Sequence, residues 1–192
     1  MGKKGYLYVI SGPSGAGKST LRELLLRQLN LTYSISATTR PPRNNERDGV
    51  DYLFMSEDLF QTKIAEGEFL EWAKVFDQYY GTPLKPLMEH INSGRDVLLE
   101  IDVQGAAQIR ERLKEIDLEG HFIFIAPPSL DVLKTRLSAR GTETPESIEL
   151  RLDEAEIEMA QSRNYDVVIV NDEIDSALKQ IVEFIESTKA NR

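Results

Sequence analysis

The sequence predicts an α/β fold in which helices cover a parallel sheet. Three observations carry this. Short, nearly continuous apolar runs recur at residues 6–10, 96–101, 121–125 and 166–170, and such runs suit strands buried on both faces. Segments with apolar residues at helical spacing lie between them. Glycine and serine cluster between the first apolar run and the first helical pattern, which is how an α/β unit opens.

The elements follow in order. Residues 6–10 form the first strand and 11–17 a Gly/Ser turn. Leu21, Leu24, Leu25 and Leu29 place a helix over 20–29. Residues 32–36 alternate weakly, and 41–49 are a charged loop broken by prolines. Ser56 is an N-cap for a helix through Ala65. Tyr79-Tyr80-Gly81-Thr82 reads as a turn, followed by a helix over 83–93 that stops at Gly94. The strand at 96–101 leads to a helix over 106–116. After the strand at 121–125, Ser129 caps a helix running toward Arg140. Thr144 at the N-cap and Pro145 in the first turn start the next helix, with Ile148, Leu152, Ala155 and Met159 on one stripe. The strand at 166–170 and a helix over 174–187 close the chain. Residues 32–95 are too long for a single crossover and imply an inserted lobe. The stretch 140–146 opens a small helical flap.

Composition narrows the function. The 192 residues are 41% hydrophobic and 29% charged, as in an ordinary globular protein. The net charge of −9 argues against a general nucleic-acid partner. With no cysteine, a disulfide scaffold, a thiolate nucleophile and Cys-ligated metal are excluded. The first apolar run is too short for a signal peptide, and no run is long enough to span a bilayer. No membrane partner is expected, and the expected location is cytoplasmic. His90 and His121 lack metal-ligand spacing and read as structural or surface residues.

Gly12-Pro13-Ser14-Gly15-Ala16-Gly17-Lys18-Ser19, followed by Thr20, matches the phosphate-binding P-loop pattern in its proper setting between strand and helix. Glycines let the backbone curl around polyphosphate oxygens, and the helix N-terminus adds donors. Lys18 can reach the β- and γ-phosphates and Ser19 can hold magnesium. Glu100 and Asp102 stand at a strand end, where a carboxylate can bind magnesium directly or through water. Asp102 also reads as an N-cap. Asp102-Val103-Gln104-Gly105 fits the Asp-x-x-Gly of a GTPase switch, but no Asn-Lys-x-Asp base-reading motif is present. Hydrolase and small-acceptor kinase both remain open on these residues alone.

Further blocks settle on a resemblance. Residues 12–20, Thr38-Thr39-Arg40-Pro41-Pro42-Arg43, Gly49-Val50-Asp51-Tyr52, Glu68-Phe69-Leu70-Glu71-Trp72-Ala73, Tyr79-Tyr80-Gly81-Thr82, Asp102-Val103-Gln104-Gly105 and Arg140-Gly141-Thr142-Glu143-Thr144 resemble the guanylate kinase family in order and spacing. The resemblance spans roughly residues 5–188. It implies magnesium-dependent transfer of the ATP γ-phosphoryl group to GMP, and also dGMP, giving ADP and GDP. It further implies a five-stranded parallel core over 1–35, 96–126 and 163–192, a GMP lobe over 36–95 and a lid over 127–162, with lobes that close on the substrates.

The resemblance assigns Ser36, Arg40, Arg43, Tyr52 and Tyr80 to the GMP phosphate, and Glu71 and Thr82 to guanine. The chemistry is sound: paired guanidiniums suit a dianion, and a buried carboxylate would be left unpaired by adenine. Glu100 and Asp102 are implied near the guanine amino groups or ribose and the magnesium-bound water. Arg136, Arg140 and Arg151 are implied over the phosphates and adenine, with Thr142 and Thr144 in the lid turn. Asn171 stands after the last strand, where either a donor-base contact or an ordinary strand-end turn fits. A non-catalytic binding module and a kinase of another monophosphate are the alternatives. Either a monomer or a homodimer is compatible with the sequence.

Overall fold

The structure is a computed structural model and describes residues 3–75, 77–116, 118–139 and 144–190. Its strands are β1 (Leu7–Ser11), β2 (Thr32–Tyr33), β3 (Ala37–Thr38), β4 (Leu53–Phe54), β5 (Phe69–Val75), β6 (Gln78–Pro83), β7 (Val97–Glu100), β8 (Gly120–Ala126) and β9 (Val167–Val170). Its helices are α1 (Lys18–Gln28), α2 (Glu57–Ala65), α3 (Leu84–Asn92), α4 (Val103–Ile116), α5 (Leu130–Ser138), α6 (Pro145–Ala160) and α7 (Ile174–Ala190). A five-stranded parallel sheet runs in the order β2-β7-β1-β8-β9. The α/β class read from the sequence therefore holds.

Chain contacts divide the molecule into two compact units. One comprises the described residues of Met1–Leu7, Thr32–Leu99 and Gln104–Gly120. It contains a second sheet in the order β4-β3-β6-β5, with β3 parallel to β4 and antiparallel to β6. Phe60 on α2 stacks on Phe69 of β5 at 4.3 Å between ring centres, and both are buried. Aromatic pairs of this kind carry much of a small core. Ser56 caps α2 by accepting from the Leu59 amide, as its position predicts.

The other unit comprises the described residues of Tyr8–Leu31, Glu100–Val103 and His121–Arg192. Leu133 and Leu137 of α5 pack with Ile148 and Ala155 of α6, and Leu152 joins them. The stripe predicted on α6 is therefore its inward face, and Met159 packs one step further, against Val103, Phe124 and Ala126. Ser129 and Thr144 accept from the amides of Val132 and Ser147 and start α5 and α6.

Four expectations are corrected. Tyr79 to Thr82 are not a turn but lie within β6, paired with β5 and β3. Gly81 is there because a side chain would crowd Glu71 O and the Phe69 ring, each 3.0 Å from its Cβ position. The strand β9 is not covered on both faces. As an edge strand it leaves Val168 and Val170 43% and 49% exposed. The helix expected from Ala106 begins at Val103, because Gln104 and Gly105 form its first turn. The strand expected over 96–101 is limited to β7, which ends at Glu100 and leaves Asp102 beyond it.

Candidate nucleotide sites

The phosphate loop links β1 to α1. Gly12 has φ 139°, and a Cβ there would lie 2.2 Å from Ile125 O. Gly17 has φ 93°, and a Cβ there would lie 2.3 Å from Asn171 Nδ2. Both positions require glycine on conformational and steric grounds. The Lys18 ammonium donates to the carbonyls of Gly12 at 2.6 Å and Pro13 at 3.0 Å, curling over its own loop. Asn171 is buried and donates from Nδ2 to Ala16 O at 2.7 Å. It braces the loop from below.

Two predicted arginines reach this region. Arg151 Nη1 lies 3.0 Å from Ser14 Oγ, so a side chain of α6 touches the loop. Arg136 Nη2 donates to Asn171 O at 2.8 Å, just past β9. Arg140, together with Gly141, Thr142 and Glu143, lies outside the described residues.

Ser19 Oγ donates to Glu100 Oε1 at 2.7 Å, and Arg22 Nη1 donates to Glu100 Oε2 at 3.0 Å. Asp102 follows two residues later, immediately before α4. These are hard oxygen donors. Among the described residues there is no cluster of three or more His, Cys, Asp or Glu that forms a complete metal cage. A magnesium ion carried by a nucleotide does not need one. It takes one or two protein oxygens, substrate phosphates and water, and Ser19 with Glu100 or Asp102 fits that requirement. On α6, burial raises the carboxyl pKa of Glu158 above its ordinary value, against the pull of the Lys18 ammonium, while Asp102 pushes it further up.

A second cluster lies in the unit holding the four-stranded sheet. Arg40 Nη2 donates to both oxygens of Glu46 at 2.8 and 2.9 Å, and Nη1 donates to Pro41 O. The Arg43 amide donates to Glu46 Oε2 at 2.8 Å. The Arg40 guanidinium holds the Glu46 carboxyl below the ordinary carboxylate range, and the Arg43 amide adds to this. Glu46 in turn raises the Arg40 pKa. The Arg40 guanidinium sits 5.5 Å over the Tyr52 ring, and Tyr52 meets Tyr80 edge-on at 6.2 Å. Ser36 enters the same sheet, its carbonyl accepting from the Leu53 amide. Arg43 is exposed on the loop.

In β5 and β6, Glu71 pairs with Thr82 across the strands. Thr82 Oγ1 donates to Glu71 Oε1 at 2.6 Å, with Thr82 fully buried and Glu71 only 6% exposed. A carboxylate has about four lone-pair sites, so one that holds a hydroxyl can still accept from a ligand edge rich in N–H donors. The structure thus groups Arg40, Arg43, Tyr52, Tyr80 and Ser36 around one loop and sheet, and joins Glu71 to Thr82. It joins Lys18, Ser19, Glu100, Arg151 and Ser14 around the other loop. Sequence reasoning missed Glu46, Arg22 and Glu158. Each carried a spacing signal: Glu46 three residues after Arg43, Arg22 one helical turn after Ser19, and Glu158 two turns after Arg151.

Comparison with known proteins decides the lineage. The Guanylate kinase family model matches residues 4–188. A guanylate kinase of Clostridioides difficile (strain 630) is 49% identical over 188 residues, covering 97% of this chain and 90% of its own. The chain belongs to the guanylate kinase family. A guanylate kinase of Caldanaerobacter subterraneus subsp. tengcongensis is 47% identical over 188 residues, covering 97% of this chain and 89% of its own. The crystal structure of guanylate kinase from Anaplasma phagocytophilum superposes with a TM-score of 0.77 at 33% identity, covering 97% of this chain and 87% of that one. As a guanylate kinase family member, the chain is an enzyme of the nucleoside monophosphate kinase class.

Proposed function

We propose that this chain transfers the γ-phosphoryl group of ATP to GMP, and to dGMP, yielding ADP and GDP. The buried Glu71–Thr82 pair carries the choice of acceptor. Guanine offers N1–H and N2–H₂ to the Glu71 carboxylate, and the Thr82 hydroxyl turns its single proton from Glu71 to the O6 acceptor. Adenine would leave Glu71 without those donors. Arg40 and Arg43, with Tyr52, Tyr80 and Ser36, bind the acceptor phosphate, and Glu46 presets Arg40.

The donor nucleotide is held by Gly12, Pro13, Ser14, Gly15, Ala16, Gly17, Lys18, Ser19 and Thr20. Lys18 exchanges its carbonyl partners for phosphate oxygens. Arg136, Arg140 and Arg151 supply positive charge as the phosphoryl group moves. Asn171 shapes the donor site through the loop backbone. Ser19, with Glu100 or Asp102, would hold magnesium, which when bound neutralises phosphate charge and polarises the transferred group. A GMP phosphate oxygen forms the new bond to the γ-phosphorus, and the bond to the β–γ bridging oxygen breaks. That oxygen leaves on ADP. An acceptor phosphate already largely dianionic needs little help from a general base.

We further assign 1–35, 96–126 and 163–192 to the core, 36–95 to the GMP lobe and 127–162 to the lid. The chain acts in the cytoplasm, as a monomer or homodimer. Among the described residues no helix is long and apolar enough to cross a membrane. Phosphorus NMR of a mixture with ATP, magnesium and GMP tests the reaction directly. GDP and ADP are expected in equal amounts, with loss of both in Lys18→Ala. ADP with free phosphate and no GDP would identify a hydrolase instead.

A further inference from the structure

Glu100 has both of its oxygens occupied by partners from one helix face. Ser19 and Arg22 stand three residues apart on α1, so their side chains leave the helix on the same side. Ser19 donates to Oε1 at 2.7 Å and Arg22 donates to Oε2 at 3.0 Å. The Arg22 and Glu100 side chains are 23% and 14% exposed, so water competes weakly for this contact. A glutamate side chain has several free torsions, and a lone contact at Oε1 would leave it free to turn away. The guanidinium at Oε2 fixes it.

The consequence reaches Ser19. A hydroxyl has one proton and two lone pairs. With its proton given to Glu100, Ser19 presents lone pairs to anything else that approaches, which is the form a hard cation needs. The Arg22 charge also offsets the carboxylate, so the loop keeps its attraction for polyphosphate.

We propose that Arg22 is a positioning residue for the donor site, holding Glu100 so that Glu100 orients the Ser19 hydroxyl toward the nucleotide's metal ion. This rests on the donor-site reading above, in which Ser19 and Glu100 border that ion. Arg22 touches neither substrate nor metal. It acts through Glu100.

The test uses the full chain with Arg22→Met, which keeps much of the aliphatic stem, and Arg22→Lys, which keeps the charge. Manganese binding in the presence of ATP is read by electron paramagnetic resonance without turnover. The magnesium dependence of GMP-dependent ADP formation is read separately. Arg22→Met is expected to weaken manganese affinity and raise the half-saturating magnesium on the order of 10-fold, as loss of an outer partner of a metal ligand does. Arg22→Lys should recover part of the loss. In a Glu100→Gln background, Arg22→Met should add little, because the two act in one chain of contacts. Unchanged metal dependence in Arg22→Met would overturn the proposal, as would a change confined to the KM for GMP. An equal loss of thermal stability and metal affinity in both variants would also overturn it, since that marks a merely structural ion pair. If the parent chain itself forms no GDP, the functional reading fails, and the manganese arm still judges Arg22.

Discussion

Thr82→Val removes one hydroxyl and keeps the branched shape of the side chain. That hydroxyl is fully buried and donates at 2.6 Å to Glu71 Oε1, itself 6% exposed. Hydrogen bonds to a charged group contribute about 1.5–3 kcal/mol each, which is about 12- to 150-fold in an equilibrium constant. Valine cannot donate to the carboxylate, nor to guanine O6. The unliganded chain should lose about 1–2 kcal/mol of unfolding free energy, because Glu71 stays buried with one donor fewer. The kcat/KM for GMP should fall about 10- to 100-fold, while the KM for ATP moves less than about twofold. Thr82→Ser should restore most of the activity. Urea unfolding and steady-state kinetics on the three proteins give both readouts. The reasoning is refuted if Thr82→Val is destabilised as expected yet turns over GMP as the parent does. The pair would then serve only the sheet.

Three further substitutions, at Glu46, Gly17 and Glu158, have expected outcomes. Glu46→Ala releases Arg40 and the Arg43 amide from their shared carboxylate, so the KM for GMP should rise on the order of 10-fold in initial-rate assays with little change in the KM for ATP. The stabilisation from this ion pair is in place above the ordinary glutamate value of 4.5 and fades as pH falls through the depressed folded value, so Glu46→Ala and parent should converge in acid unfolding. Gly17→Ala would set a Cβ 2.3 Å from Asn171 Nδ2 at φ 93°, and should both lower the melting temperature and weaken ATP binding by calorimetry. Glu158 has a folded pKa raised above 4.5 by burial, so the stability it lends is complete below that value and is lost as pH rises through the folded value. Glu158→Gln should therefore melt higher than the parent at pH 7–8, with the gap closing below about pH 4 in a pH series of thermal melts.

The parts legible in the sequence are those where local chemistry and tertiary demand agree. The apolar run into Ser11, the glycines of the phosphate loop and the caps at Ser56, Ser129 and Thr144 each specify their own conformation. The four-stranded sheet was not legible. Its strands β3 and β4 are two residues long, too short to show a period. Tyr79 to Thr82 carry a glycine that looks like turn chemistry and in fact permits close strand packing. At the sites, residue types that bind phosphate or guanine stood out once their blocks were read together. Their supporting partners did not. Glu46, Arg22 and Glu158 are charged residues on faces that resemble solvated surface, and only the fold shows that Glu46 holds Arg40, that Arg22 holds Glu100 and that Glu158 is partly buried within the electrostatic reach of Lys18.

The most direct test of the central claim is ADP release from ATP and magnesium, with GMP, AMP, UMP, CMP and water compared as acceptors. Rapid turnover with GMP, far slower turnover with the other acceptors, and collapse of the GMP rate in Glu71→Ala and Lys18→Ala are predicted. A folded chain that binds GMP saturably yet forms no GDP would contradict the account.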